Sequence, residues 1–470
     1  MILYTSYRFK YYKTLEVITM KVTKFGGSSL ADAPQIMKVC DIVLSDPARN
    51  VVVVSAPGKR FSNDIKVTDL LINIVNTKLA GDPVDEALGK VISRFSDIAA
   101  KLKVSDVIPE IEEKITGIIN KEYSTDNELL DSVKAMGEDS SAKIVAAYIN
   151  TLGRKAVYCD PAVCGLYLEH DKMGKAVILP ETYDNLAKLA EDPDTIKVFP
   201  GFYGYSKEGR IITFSRGGSD ITGSILAAAV NADIYENWTD VDSVFAVNPN
   251  LVKNPFPIKE ITYNEMRELS YAGFTVLHEE ALYPVFIRNI PINIKNTNNP
   301  QAQGTMIVKN RTHFESLITG IAGKKGFCTV TVNKYLMNRQ VGFLASLLRI
   351  FEEEGVSIEH LPSGIDTVTI IVTKKQFTEE KEAKIIARIK DELQVDSLSI
   401  AKDLAIVMIV GEAMANSVGI MARAATALSN AGINLRIVDQ GASEISMMFG
   451  VSESYCEYAE RVLYKELFRY

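Results

Sequence analysis

Four short loops, each rich in glycine, hydroxyl groups or charge, follow directly on stretches that read as β-strands. Gly26-Gly27 follows 22–25, Ser55-Ala56 follows the valine run 51–54, Arg216-Gly217-Gly218 follows 211–214, and Thr239-Asp240 follows 233–238. An unbroken valine run belongs to a parallel strand covered by helices on both faces. Helical spacing resumes after the first loop, with Ile36, Val39, Cys40, Val43 and Leu44 on one face. In open parallel sheets, ligands bind outside the carboxyl ends of the strands. Four polar loops in that topological position restrict the chain to an α/β fold with its site along one sheet edge.

The first loop reads Lys24-Phe25-Gly26-Gly27-Ser28-Ser29. Glycines let main-chain N–H groups approach an anion, and a following helix N-terminus adds its positive dipole end. A lysine beside them is what a transferring phosphoryl group requires. This is not the P-loop order, in which Lys follows the glycines and precedes Ser or Thr. Taken alone, the stretch is equally a strand-to-helix turn with a surface lysine.

A net charge of −7 argues against nucleic-acid binding, which rests on neutralising phosphates. Five cysteines without a CxxC pair suit a reducing cytoplasm, and four scattered histidines offer no metal site. No apolar run approaches the roughly 20 residues that span a bilayer. Residues 1–19, aromatic and basic, read as an extension without a catalytic part, and Met20 opens the first strand. At 470 residues the chain has room for two to four domains.

Lys309-Asn310-Arg311-Thr312 marks a linker, and beyond it the chain repeats itself with a 77-residue offset. Val330 matches Val407, Val341-Gly342 matches Val418-Gly419, Ala345 matches Ala422, and Gly355 and Gly364 match Gly432 and Gly441. Apolar positions between these anchors agree as well, Phe351 with Leu428 and Ile358 with Leu435 among them. Each copy reads as a ferredoxin-like βαββαβ unit. Its Val-Gly loop sits at a helix N-terminus, ready for a carboxylate.

The motifs KFGGSS, SRGGSD and ENWTD, together with the tandem repeat, resemble the aspartokinases from Met20 to about Phe468. The resemblance implies an amino-acid-kinase fold, a mostly parallel sheet covered by helices, followed by two ACT domains. The expected divisions are an extension at 1–19, a catalytic domain at 20–308, and ACT domains at 319–395 and 403–470. The implied reaction transfers the γ-phosphoryl group of ATP to the β-carboxylate of aspartate, opening lysine, threonine and methionine biosynthesis. Lys24 would lie against the β- and γ-phosphates, with Gly26, Gly27 and Ser28 around them. Asp220 would hold Lys24, and Ser55 would contact the transferring group. Arg216 and Thr68 would take the α-carboxylate of aspartate, and Glu138 its α-ammonium. Thr239, Asp240 and Phe245 would border the nucleotide, with Mg²⁺ held mainly by the phosphates and no metal bound by side chains. Each has a plainer reading: Asp220 and Thr68 as helix caps, Lys24 and Arg216 as solvated cations, Glu138 as a helix-surface carboxylate. Trp238 and His278 read as core residues.

Three positions depart from the family pattern, all at the nucleotide end. Thr275 and Asn250 stand where cations are usual, and Phe245 stands where Tyr is common. The ACT pair implies feedback by lysine or threonine. Met337, Gln340, Val341, Gly342, Phe343 and Leu344 would form the effector loop, facing Ile358, Glu359, Ser363 and Asp366. The two carboxylates favour lysine, whose second ammonium they could pair. A homodimer through residues 320–470, or a tetramer, would follow, in the cytoplasm and without nucleic-acid or membrane partners. Two other readings remain open: a kinase of this fold acting on another carboxylate, and an amino-acid sensor with an inactive kinase half.

Overall fold

The computed structural model describes residues 20–468, apart from 172, 173, 216, 275, 278, 312 and 313. Arg216, Thr275, His278 and the 1–19 extension therefore lie outside the described residues. The chain forms two compact units, divided between Trp238 and Thr239.

In the first unit, β1 (Lys21–Phe25), β2 (Arg49–Val54), β3 (Ala156–Tyr158), β4 (Ile196–Pro200) and β5 (Ile234–Thr239) run parallel in the order β5-β1-β2-β4-β3. The register pairs Phe25 with both Val54 and Trp238, and Val54 with Pro200, so these strands end together. Helices α1 (Ala33–Leu44), α2 (Val67–Leu79), α3 (Asp85–Leu102), α4 (Asp126–Thr151) and α5 (Gly218–Ala229) are among those of this unit. The valines of β2 are completely buried, as a strand covered on both faces requires. Trp238 is a core residue as well, stacked on Phe25 at 5.9 Å.

The 211–214 strand does not join the parallel sheet: Ile211–Thr213 pairs with Tyr203–Tyr205 in a separate antiparallel hairpin. Three of the four loops therefore share the sheet edge through their own strands, whereas the Arg216 loop leaves a hairpin. Gly137 lies within a long helix. α4 runs unbroken through it, because the missing side chain admits the β2 loop: a β-carbon there would lie 2.7 Å from Ala56 Cβ.

The second unit opens with a hairpin of β6 (Val244–Phe245) and β7 (Pro257–Ile258). Strands β8 (Glu260–Thr262), β9 (Ile292–Asn296) and β10 (Thr305–Val308) follow, with helix α6 (Tyr263–Ala272) between the first two. The repeat then builds β11 (Gly320–Asn333), α7 (Phe343–Glu353), β12 (Thr367–Thr373), α8 (Glu379–Leu393), β13 (Ser397–Val410), α9 (Ile420–Asn430), β14 (Ile437–Gln440), β15 (Ser446–Ser452) and α10 (Cys456–Leu467). The offset of 77 carries β11 onto β13 and α7 onto α9, residue for residue. Both helices start from a glycine of positive φ, Gly342 at 84° and Gly419 at 92°.

One antiparallel sheet, β12-β11-β13-β15-β14, serves both copies. Its two long strands are shared. Cys328, Val330 and Val332 of β11 pack in the first core, with Leu347, Phe351 and Ile385, whereas Ile318 and Ile321 pack in the second, with Val407, Leu428 and Leu463. Residues 318–324 thus belong by packing to the second copy, although in sequence they open the first. Nor is 309–312 a bare linker: the Arg311 side chain is buried and donates to Thr319 at 2.8 Å and to Glu265 at 3.2 Å.

Candidate active site and effector loop

Lys24 lies on β1, an inner strand of the parallel sheet, one residue from its carboxyl end, and is 8% exposed. Its Nζ sits 2.5 Å from Asp220 Oδ1 and 3.5 Å from Asn237 Oδ1. Asn237, facing Lys24 across the β1–β5 register, donates from Nδ2 to the same Asp220 oxygen at 2.9 Å. Asp220 is not the helix cap: Gly217 caps α5, and Asp220 is its third residue. Sequence reasoning quoted Asn237 inside ENWTD and gave it no part. The signal was available, because a polar residue on a buried strand needs a partner.

The Gly26-Gly27 loop is shaped by close approach. Gly58 N–H donates to Gly27 O at 2.8 Å, and a β-carbon on Gly58 would fall 2.7 Å from that oxygen. One amide expected to face phosphate is already used: Gly26 N–H donates to Trp238 O at 3.1 Å. Gly27 and Ser28 open the short 3₁₀ turn Gly27–Leu30, whose bond from Ser29 N–H to Gly26 O comes after their own amides. From α3, buried Arg94 ties the two loops, donating to Ala31 O at 2.9 Å, Gly58 O at 2.8 Å and Asp64 at 2.8 Å. The two loops are thus in direct contact, and the amides of Gly27 and Ser28 with the Lys24 ammonium are groups that suit an anion.

Ser55 follows β2 directly, its N–H bonded to Phe25 O at 3.2 Å. Thr68 sits in the first turn of α2, which is capped by Lys66, so the cap reading of Thr68 does not hold. Glu138 is buried on α4, and its Oε2 meets no hydrogen-bond donor. Burial pushes this carboxyl up to about 8, against an opposing hydrogen bond from the Ala56 main chain and the charge of Lys134. An orphaned carboxylate oxygen in a dry position is a ready partner for an incoming ammonium. Its neighbour Asp139 is engaged instead, by Tyr203 at 3.1 Å and Lys114 at 2.8 Å.

In the second unit, Thr239 donates to Asp240 Oδ1 at 3.2 Å, and Phe245 ends β6 half-buried. Asn250 closes a small turn onto the Asn248 side chain at 2.9 Å, a use that needs no cation. On the effector loop, Val341 is fully exposed, with Gln340, Gly342 and Leu344 exposed beside it. Met337 and Phe343 point into the first core, so only their main chain can serve a ligand, and Phe343 N–H already donates to Gln340 O at 3.2 Å. Ser363 is exposed and Ile358 packs against that core. Asp366 Oδ1 is buried without a donor, whereas Glu359 accepts the Tyr271 hydroxyl at 2.6 Å. At the matching positions of the second copy stand Ser443 and Arg436, the latter paired with Asp403 at 2.6 Å.

Residues 19–296 match the amino acid kinase family, and residues 407–467 match an ACT domain. The chain is 50% identical over 450 residues to aspartokinase 3 of Bacillus subtilis, covering 96% of this chain and 99% of that one. The crystal structure of Clostridium acetobutylicum aspartate kinase superposes with a TM-score of 0.82 at 41% identity, covering 95% of this chain and 100% of that one. Escherichia coli aspartokinase III superposes at 0.79 in complex with aspartate and ADP and at 0.72 in complex with lysine and aspartate. Identities there are 25% and 26%, covering 96% of this chain and 100% of each. The chain belongs to the amino acid kinase family and, within it, to the aspartokinases.

Proposed function

We propose that the chain is an ATP-dependent aspartate kinase that phosphorylates the β-carboxylate of L-aspartate to give 4-phospho-L-aspartate. One observation carries this reading: a buried ammonium, Lys24, fixed by Asp220 and Asn237 at the sheet edge, within the same unit as the buried Glu138 carboxyl, one oxygen of which has no donor. The nucleophile is ionised at neutral pH, so no general base is required. Transfer then rests on in-line positioning and on cationic neutralisation of the phosphoryl oxygens. Asp220 and Asn237 hold the Lys24 ammonium before reaction, which is what makes such a charge effective. Glu138 takes the α-ammonium and selects an amino acid over a plain dicarboxylate.

By the family resemblance, Gly27 and Ser28 offer amides to the phosphates, with Gly26 contributing shape, and Ser55 reaches the transferring group. Thr68 and Arg216 hold the α-carboxylate, the latter suited by its bidentate fork. Thr239, Asp240 and Phe245 serve the nucleotide. Mg²⁺ enters with ATP, held mainly by the phosphates, and supplies further charge neutralisation.

The regulatory reading is feedback by an amino acid at the first copy, lysine in preference to threonine. The donor-less oxygen of Asp366 supports it. Catalytic residues 20–308 would then answer to ACT units at 319–395 and 403–470, the second completed by 318–324. The full exposure of Val341 and Val418 supports assembly of the ACT units into a homodimer or tetramer. All five cysteines are free thiols, and among the described residues no helix is long and apolar enough to cross a membrane. These features support a cytoplasmic enzyme. The test is coupled ADP release with hydroxylamine trapping, which should yield aspartyl hydroxamate. No hydroxamate from aspartate, with product from another acid, overturns the assignment.

A further inference from the structure

We infer that Tyr271 is the positioning residue through which an effector at Glu359 acts on the nucleotide-side elements of the second unit. The inference rests on the regulatory reading above and deepens it. Tyr271 closes the last turn of α6, and its hydroxyl donates to Glu359 Oε2 at 2.6 Å with His360 Nε2 3.2 Å away. Its ring meets His360 edge-on at 5.7 Å and lies under Lys324 Nζ at 4.9 Å. Burial lowers the pKa of His360, whose Nε2 lies beside the bond. Glu359 is itself held by its main chain, N–H to Ile371 O at 2.8 Å, in the short bridge to β12. An expected effector carboxylate is thus already occupied, by a hydroxyl from an element outside the repeat.

The other end of α6 is fastened harder. Glu265, fully buried, accepts from Thr319 at 2.6 Å, from Glu412 N–H at 2.9 Å and from Arg311 at 3.2 Å. Between these ends α6 lies directly on β11, where a β-carbon on Gly320 would be 2.8 Å from Leu269 and one on Gly273 would be 2.9 Å from Gly323 O. The same stretch of β11 holds the nucleotide-side hairpin, Ile321 N–H donating to Ala246 O at 2.7 Å, next to Phe245. With no slack at these glycines, a shift of the Tyr271 turn must pass to β11 and to the hairpin. An effector ammonium arriving at Glu359 exchanges a neutral donor for a charged one, the stronger hydrogen bond. Tyr271 is displaced, and α6 pivots about the Glu265 anchor.

The test is Tyr271→Phe in the full chain, which keeps the ring contacts and removes only the hydroxyl. Lysine binding is measured by isothermal titration, and residual activity is measured at saturating lysine. Activity without lysine should fall toward that of the lysine-saturated wild type, because the bond whose loss inhibits is already absent, and lysine should bind as tightly or up to about tenfold more tightly, since its competitor is gone. Inhibition at saturation should weaken by at least about fivefold, the lower end of usual allosteric coupling. If the variant binds lysine and is inhibited at saturation as fully as wild type, the inference falls while the regulatory reading stands. Absence of lysine and threonine binding to the wild-type chain overturns both. His360→Gln is the companion variant: it leaves the Tyr271–Glu359 bond in place and should keep full inhibition, and a loss equal to that of Tyr271→Phe assigns the effect to packing and overturns the hydroxyl's part.

Discussion

The Gly26-Gly27 loop and the Val341-Gly342 loop both place a glycine turn before a helical turn, where an anion is welcome, and they differ in how the surrounding charges are held. At the first, Lys24 is 8% exposed and locked between Asp220 and Asn237. At the second, Val341 is open to solvent, and the two acidic side chains are half-buried, one with an oxygen lacking a donor and one lent to Tyr271. Buried, over-determined charges act at full strength on a reacting group and cannot be rearranged cheaply. Half-buried charges with an exchangeable partner do little for the resting enzyme, yet they can respond to a ligand. Rigidity marks the catalytic loop, and exchangeability marks the regulatory one.

Lys24→Ala should break this comparison most severely. Losing one preorganised charge costs on the order of 3 kcal/mol, so kcat should fall about 10²-fold or more while aspartate binding changes little. A steady-state kcat within twofold of wild type would take Lys24 out of the chemistry. Glu138 comes next, through pH. Its carboxyl in the free enzyme is pushed up to about 8 by burial, and an α-ammonium needs the ionised form. Below that value binding must expel a proton, so the KM for aspartate should fall roughly tenfold per unit as pH rises toward 8, then level off. Glu138→Gln should raise KM and flatten the profile, leaving nucleotide affinity unchanged in a titration with a non-hydrolysable analogue. A slope that survives in the variant would assign the proton to another group.

Removing Glu359 and Asp366 together should raise the lysine inhibition midpoint by about 5–150-fold. An unmoved midpoint would shift attention to the second copy, residues 416–421. The smallest effect belongs to that copy. Arg436→Ala breaks only an exposed pair with Asp403, of a kind usually contributing about 0–1 kcal/mol, and should leave the lysine midpoint within about twofold. A larger shift would show that the two copies share the effector.

Much of the fold was legible because it is written in short-range pattern. The β2 valine run, the glycine turns and the 77-residue offset each appear in the chain as spacing, and the helices α7 and α9 begin at matching residues. The candidate site residues were legible where a motif carries them, as with Lys24 in KFGGSS and Asp220 in SRGGSD. Asn237 escaped because nothing nearby in sequence says that a strand residue 213 positions away faces Lys24. Gly26 misled for the same reason, since its amide is taken by Trp238 across the sheet.

What the sequence determined by itself was therefore the set of parts: parallel strands with polar loops, a duplicated βαββαβ unit, and side chains of the right chemistry at the loops. Only the tertiary structure decided which charges are paired. Lys24 meets Asp220, Glu359 meets Tyr271, and Glu138 keeps an oxygen without a donor. It also decided that residues 318–324 complete the second copy and not the first. The physical reason is that periodicity and propensity act over a turn or a strand, whereas burial and hydrogen-bond partnership depend on groups brought together from distant segments.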